Sequence, residues 1–413
     1  MFSKSLLILV LALGMLVFPG RSLSQAEAPQ AAAKKGVARQ PRRDVRKSTD
    51  QDAHTAKTAE HNAGVQWSAQ AQEQFAAGKA LEAKGLLNSA IVLYQKAVQL
   101  EPNWPDVHNA LGNAYNQQHK SSLAMLEYLR AIRLDSGNAN AHYNLATLLR
   151  AQGNLNGAVK EFQKALQIDP DNAGAHNDLG LTYAQQGKLA PAIAEFHATV
   201  LMKPGWAIAH DNLGNALAMA GDLNGAMTSY RNTIALKPDW AQPYNNLGNA
   251  LRQAGNLTAA AAQYQQALKL EPKYAAARNN LGLTLQQEGN MDGAIQQYQL
   301  AIQLNPNYST AHNNLAVALY RKGDWKGAIS EYGQVLRIKP NDPTAHFNLG
   351  LALKSAGEKK DALEQFQQAQ KLDPGNQQYQ QAYADLLKES SATGKTVSKP
   401  GEAVSEASSD GSK

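Results

Sequence analysis

Six of the ten histidines in this chain of 413 residues, His108, His142, His176, His210, His312 and His346, stand at multiples of 34 residues from one another. A periodic row of imidazoles suggests a metal site. Zinc, however, holds nitrogen at about 2 Å, whereas equivalent residues on packed neighbouring helices stand about 8 to 10 Å apart, so a single row chelates poorly. The row reads instead as planar rings packed between helices, and no metal is expected. Other catalytic signatures fail as well. Gly394-Lys395-Thr396 mimics the end of a phosphate-binding loop, but Glu389 stands where that motif needs a glycine. No HExxH or GxSxG occurs, and with no cysteine there is neither thiol chemistry nor a disulfide framework. The reading is of a protein that is not an enzyme and needs no cofactor.

The periodic chemistry that remains is amide. Asparagines recur as Asn109, Asn177, Asn245, Asn279 and Asn313, again as Asn144, Asn212, Asn246, Asn280, Asn314 and Asn348 with Asp178 in the same column, and again as Asn113, Asn215 and Asn249. A side-chain amide offers donors and an acceptor at once, so a row of them can pair with the N–H and C=O groups of an extended peptide without demanding particular side chains. The same amides could instead bond one another.

The elements that must position these rows follow from the same period. With position 1 set at residues 71, 105, 139, 173, 207, 241, 275, 309 and 343, nine units align without gaps. Position 20 is always alanine, from Ala90 to Ala362, and position 24 is always aromatic, from Tyr94 to Phe366. Position 8 is small, position 15 is glycine except at His119, and position 32 is proline except at Ser136. Small residues at 8 and 20 let two helices approach closely while the aromatic fills the space beside them. Glycine at 15 reaches the left-handed conformation cheaply and ends helix A, and proline at 32 stops helix B. Each unit is therefore expected to be a helix-turn-helix hairpin, with a helix A that depends on packing rather than on intrinsic preference.

These columns resemble the tetratricopeptide repeat family over residues 71 to about 376. The resemblance implies an all-α, right-handed superhelical solenoid of nine hairpins, at 71–104, 105–138, 139–172, 173–206, 207–240, 241–274, 275–308, 309–342 and 343–376, sealed by a C-terminal capping helix over 376–388. Positions 2, 5, 6, 9, 12 and 13 share one face of helix A, which in the family lines the concave groove where partners bind. The candidate peptide-binding residues are thus Asn113, Asn144, Asp178, Asn212, Asn215, Asn246, Asn249, Asn280, Asn314 and Asn348. The asparagine column is similar to that of the superhelical half of O-GlcNAc transferase, where the asparagines hold a peptide, but no catalytic domain follows here. Repeat domains that clamp terminal carboxylates carry Lys or Arg at positions 2, 5 and 6, which this chain lacks from the second repeat onward. Tyr143, Leu181 and Ile208, and again Val317, Tyr320, Phe347 and Leu351, are expected to add side-chain pockets to the groove. The aromatics at position 34, Trp104, Trp206, Trp240, Tyr274 and Tyr308, are expected to staple adjacent repeats.

The ends of the chain speak to location. Lys4, an apolar run from Leu6 to Phe18 and small residues before Ala26 form a secretory signal pattern, expected over 1–26. Residues 27–65 read as a disordered basic linker, 66–388 as the solenoid and 389–413 as a disordered tail. Of the net charge of +6, residues 1–65 carry 10 basic against 5 acidic groups, so the solenoid is close to neutral and offers no basic footprint for nucleic acid. The expectation is an exported, periplasmic or secreted scaffold that binds an extended peptide or protein segment. Two alternatives stay open: an envelope assembly protein that acts through its solenoid ends by docking or self-association, and a substrate-binding partner of a separate glycosyltransferase. Contact of the basic linker with an anionic envelope surface also stays open.

Overall fold

The structure is a computed structural model that describes residues 66–392. The expected signal peptide, the basic linker and the tail from residue 393 on lie outside the described residues. Nineteen α-helices and no strands occur among the described residues. In chain order they are α1 Ala69–Ala83, α2 Leu87–Leu100, α3 Pro105–Gln117, α4 Ser121–Leu134, α5 Ala139–Ala151, α6 Leu155–Ile168, α7 Ala173–Gln185, α8 Leu189–Met202, α9 Ala207–Met219 and α10 Leu223–Leu236. They continue as α11 Ala241–Gln253, α12 Leu257–Leu270, α13 Ala275–Gln287, α14 Met291–Leu304, α15 Ser309–Lys322, α16 Trp325–Ile338, α17 Pro343–Ala356, α18 Lys359–Leu372 and α19 Gln377–Ala392. The chain divides into two compact units, Met1–Gly225 and Ala226–Lys413.

Within each unit the two helices of a hairpin pack along each other, and the second helix packs on the first helix of the next hairpin. Successive first helices also touch directly, as in α3 with α5 and α5 with α7 in one unit, and α11 with α13 and α13 with α15 in the other. Within each unit the first helices therefore form one row and the second helices another. The alanine column is fully buried at every repeat, and all nine position-24 aromatics are buried. A Cβ on Gly248 would meet the Tyr264 ring at 2.7 Å, which is why this helix gives up the propensity of alanine for glycine.

The turns are equally regular. Glycine at position 15 takes a positive φ in eight repeats, and His119 adopts it with φ 60° in the ninth. The second helices gain caps from position 16, where Asn154, Asn256, Asn290 and Asp324 accept from the backbone N–H three residues on. Position 34 has two uses. Trp104 stacks on Trp67 at 5.2 Å and meets Phe75 of its own repeat edge-on at 4.9 Å. Where the aromatic is missing, Asn138, Asn172 and Asp342 cap the following helix. Proline at 32 is not needed to end helix B, because α4 stops at Leu134 ahead of Ser136 just as its neighbours stop ahead of proline.

One boundary differs from expectation. The capping helix runs Gln377–Ala392 rather than 376–388, so the first residues assigned to the tail are helical. Glu389 bonds Lys354 Nζ at 2.9 Å, and the Ser390 hydroxyl returns to the Leu386 carbonyl at 2.8 Å, which carries the helix one turn further.

Candidate functional site

The histidines at position 4 are fully employed. His108, His142, His176 and His312 each place Nδ1 at 2.6 Å from a glutamate oxygen on the partner helix, Glu127, Glu161, Glu195 and Glu331 respectively. The other ring nitrogen faces the position-32 carbonyl of the preceding loop, at Pro102, Ser136, Pro170 and Pro306. His210 and His346 reach the equivalent carbonyls of Pro204 and Pro340. Where histidine is absent, another donor takes over: Tyr244 to Pro238, Arg278 to Pro272 and Gln380 to Pro374. Position 4 is thus a hydrogen-bond clamp that fixes each inter-repeat loop. The expected packing between helices A and B is present, and the glutamate 19 residues downstream is the partner that the column alone did not name.

The asparagine rows form a ladder across repeats. Asn144 Nδ2 donates to Asn109 Oδ1 at 2.9 Å and Asn212 to Asn177 at 2.8 Å. In the second unit Asn280 donates to Asn245 at 3.0 Å and Asn314 to Asn279 at 2.8 Å. Asp178 has no N–H to give, and there the direction reverses: the Tyr143 hydroxyl donates to Asp178 at 2.7 Å. Burial pushes the Tyr143 phenol up, and the Asp178 charge beside it adds to the shift. Each bond joins position 5 of one repeat to position 6 of the next. The position-5 partners Asn177, Asn245 and Asn279 are buried, whereas Asn144, Asn212, Asn280 and Asn314 keep part of their surface open.

Position 9 does different work. Asn113 and Asn249 accept from the hydroxyls of Tyr128 and Tyr264, both at 2.8 Å, and so satisfy phenols that the core would otherwise strand. Tyr94 and Tyr298 solve the same problem at position 12, through Glu82 and Gln286. Asn215 donates to Asp211 at 3.1 Å, and Asn246 accepts a long bond from Asn245 at 3.5 Å.

Three expected groove residues are not available to a partner. Asn348 is only 6% exposed. Beside it Phe347 is fully buried between Phe366 and Tyr379, because the capping helix covers this end of the row. Val317 is likewise buried, as an apolar side chain on a shared helix face tends to be. Tyr320 is half-buried and bonds Ser355 at 2.9 Å, and Ile208 is exposed.

Charge on the first-helix row was missed by reading amides alone. In α1, α3, α5, α7 and α9 the acids are Glu73, Glu82, Asp106, Asp178 and Asp211 against Lys79 and Arg150. In α11, α13, α15 and α17 there is no acid, and the cations are Arg252, Arg278, Arg321, Lys322 and Lys354.

Models of the repeat match the chain at 78–119, 146–187, 214–254 and 316–357 as TPR repeat, and at 127–160, 245–309 and 343–376 as tetratricopeptide repeat. These spans take in more than half of the chain, and it belongs to the tetratricopeptide repeat family. Proteins of this family are protein-interaction scaffolds that bind protein or peptide partners, and they are generally not enzymes. No curated protein matches the chain. Among solved structures, MamA is 25% identical over 41% of this chain and 92% of its own, with a TM-score of 0.39. YrrB, described as a TPR protein with an unusual peptide-binding site, is 22% identical over 48% of this chain and 97% of its own, TM-score 0.41. Pseudomonas aeruginosa pilF is 22% identical over 52% of this chain and 97% of its own, TM-score 0.46.

Proposed function

We propose that this protein is an exported, non-enzymatic scaffold whose first-helix row holds an extended peptide or protein segment. The observation that carries the reading is the amide ladder. Asn144, Asn212, Asn280 and Asn314 are each held in one orientation by a bond to the preceding repeat, yet each remains partly open to solvent. An amide that spends one N–H on its neighbour keeps a second N–H and a carbonyl oxygen with free capacity. Preorganised in this way, the row can pair with a peptide backbone without first paying to order its side chains. Export rests on the pattern of residues 1–26; among the described residues no helix is long and apolar enough to cross a membrane.

The test is a capture of partners from the envelope and culture fluid of the producing cell. The chain beginning after Ala26 is run beside its Asn246→Ala/Asn280→Ala/Asn314→Ala variant, with thermal unfolding of both recorded. Partners that bind the parent and are lost from a folded variant support the reading. An identical set on both overturns it and makes the ladder purely structural. Recovery of the protein with its first 26 residues attached from the cytoplasm would overturn export.

A further inference from the structure

The cations of the second unit's first-helix row are not equally engaged. Arg278 serves the loop clamp through Pro272, Lys322 is paired with Asp292, and Lys354 is paired with Glu389. Arg252 and Arg321 are left, and neither is paired with a carboxylate among the described residues. The Arg252 Nε is buried without an acceptor. Both stand on first helices of the second unit, Arg252 at the end of α11 and Arg321 at the end of α15. Burial raises the Tyr298 phenol, and the positive charges of both Arg252 and Arg321 oppose that rise. Arg252 also hydrogen-bonds the Tyr264 hydroxyl, and the charge of Arg321 bears on Tyr332. Asn280 and Asn314 of the ladder stand on α13 and α15 of the same row. Amides and two arginines without a carboxylate partner, on helices that contain no acid, favour an anion over a cation or a neutral ligand.

We infer that the first-helix row of residues 241–356 takes an extended peptide segment rich in Asp and Glu, with its carboxylates on Arg252 and Arg321 and its backbone on Asn280 and Asn314. The inference rests on the groove-binding reading and names the class of its ligand. Arg252 and Arg321 lie two repeats apart, roughly 20 Å at about 10 Å per packed helix, less the reach of their side chains. An extended chain advances about 3.3 Å per residue, so carboxylates roughly four to six residues apart meet both. The arginines hold bidentate carboxylates and the amides hold the strand between them, a division of labour that a surface lysine pair would not supply.

Fluorescence anisotropy on the full chain tests this with three labelled dodecapeptides: alternating Glu-Gly, Gln-Gly and Lys-Gly. The expected order is Glu-Gly tighter than Gln-Gly by about tenfold at low salt, with the advantage shrinking as salt rises, and Lys-Gly weakest. Arg252→Gln/Arg321→Gln is expected to bring Glu-Gly down to the level of Gln-Gly. Lys269→Gln/Lys326→Gln, which removes the same charge from the exposed second-helix row, is expected to leave the order intact. Equal affinity for Glu-Gly and Gln-Gly, or an equal loss in the lysine control, overturns the inference. So does an oligo-dT of matched length that binds as tightly and depends on the same arginines, since the site would then read any polyanion. Asn280→Ala/Asn314→Ala tells the two readings apart. If it leaves Glu-Gly binding unchanged while the arginine variant abolishes it, the amide reading fails and the charge assignment stands. If it weakens Glu-Gly and Gln-Gly alike while the arginine variant has no effect, the reverse holds.

Discussion

The first helices of the two units obey one packing grammar and carry opposite charge. In α1 to α9 the row holds five acids and two cations, and in α11 to α17 it holds five cations and no acid. The alanine and aromatic columns beneath them are buried alike in both. The amide ladder runs through both with bonds of 2.8 to 3.0 Å. The acids of the first unit are also more engaged. Glu82 accepts from Tyr94 and Gln117, Asp106 from Asn138, and Asp178 from Tyr143 and Arg150. In the second unit neither Arg252 nor Arg321 has a carboxylate partner among the described residues. What holds a repeat together and what it presents to a ligand are written in different positions, so one can change while the other is kept.

If the grammar is shared, breaking it should cost the same in either unit. Gly180 and Gly282 both sit under an aromatic ring, where a Cβ would lie 2.8 Å from Phe196 and 2.6 Å from Tyr298 respectively. Gly180→Val and Gly282→Val are each expected to destabilise by about 1 to 3 kcal/mol through overpacking. Urea unfolding of both variants measures this, and a large loss in one with none in the other would break the equivalence. The ladder comes next. Asn212→Ala and Asn280→Ala each remove a donor from a buried position-5 amide, Asn177 or Asn245, at an expected cost of about 1 kcal/mol in either unit. A negligible effect on unfolding, together with loss of a bound peptide, would mean that the amides serve the ligand more than the fold.

The hairpins were legible in the sequence because each column answers to one contact that any repeat must make. Ala260 has no room for more, Gly248 lies under a ring and Gly255 takes a positive φ. The ladder was legible as a pattern and not as a set of bonds. Its partners lie 35 residues apart, one off the 34-residue period, and a column viewed alone shows only that asparagine recurs. The same holds for the histidines: the clamp becomes visible only when Glu127, Glu161, Glu195 and Glu331 are set 19 residues after them. Burial at a stack end was not legible. Phe347 and Asn348 look like groove residues by position, but both are buried, and Tyr379 of the capping helix packs on Phe347. The arginines without a carboxylate partner were missed for a simpler reason, in that a near-neutral total conceals a row with no acid in it.

A smaller effect would sharpen the comparison at its one irregular turn. His119 holds φ 60° where eight other repeats place glycine, and a non-glycine residue pays for that conformation. His119→Gly is expected to stabilise the chain by about 0.5 to 1 kcal/mol, seen as a higher urea midpoint. The His119 backbone N–H bonds to the Asn116 carbonyl at 2.9 Å, an interaction that glycine keeps. A loss of stability would mean that the imidazole makes a contribution larger than its strain.

The smallest expected effect, and the one that separates the units most cleanly, is on pH. The first unit has three histidine–glutamate clamps, at His108, His142 and His176, whereas the second has only His312, with Tyr244 and Arg278 at the corresponding positions of other repeats. His176 lies between two acceptors, Glu195 and the Pro170 carbonyl, and a neutral imidazole has only one N–H to share between them. Its pKa is raised by the bond to Glu195, with burial opposing and the Pro170 carbonyl and the charges of Glu195 and Asp171 assisting. A raised folded pKa means that this contribution is complete below the ordinary histidine range and is lost as pH rises through the raised value. Glu161 has the opposite sign. Burial pushes its carboxyl up, but the bonds from Lys164 and His142 outweigh that and hold it below its usual value, so its contribution is present above the ordinary carboxylate range and fades on acidification. Together they place greatest clamp stability in mildly acidic solution. His176→Tyr removes the imidazole and copies the donor found at Tyr244, whose hydroxyl reaches the Pro238 carbonyl. The unfolding midpoint of this variant is expected to fall less than the parent's between pH 6 and pH 8. A parent whose midpoint does not fall over that interval would show that His176 holds its loop as a neutral ring.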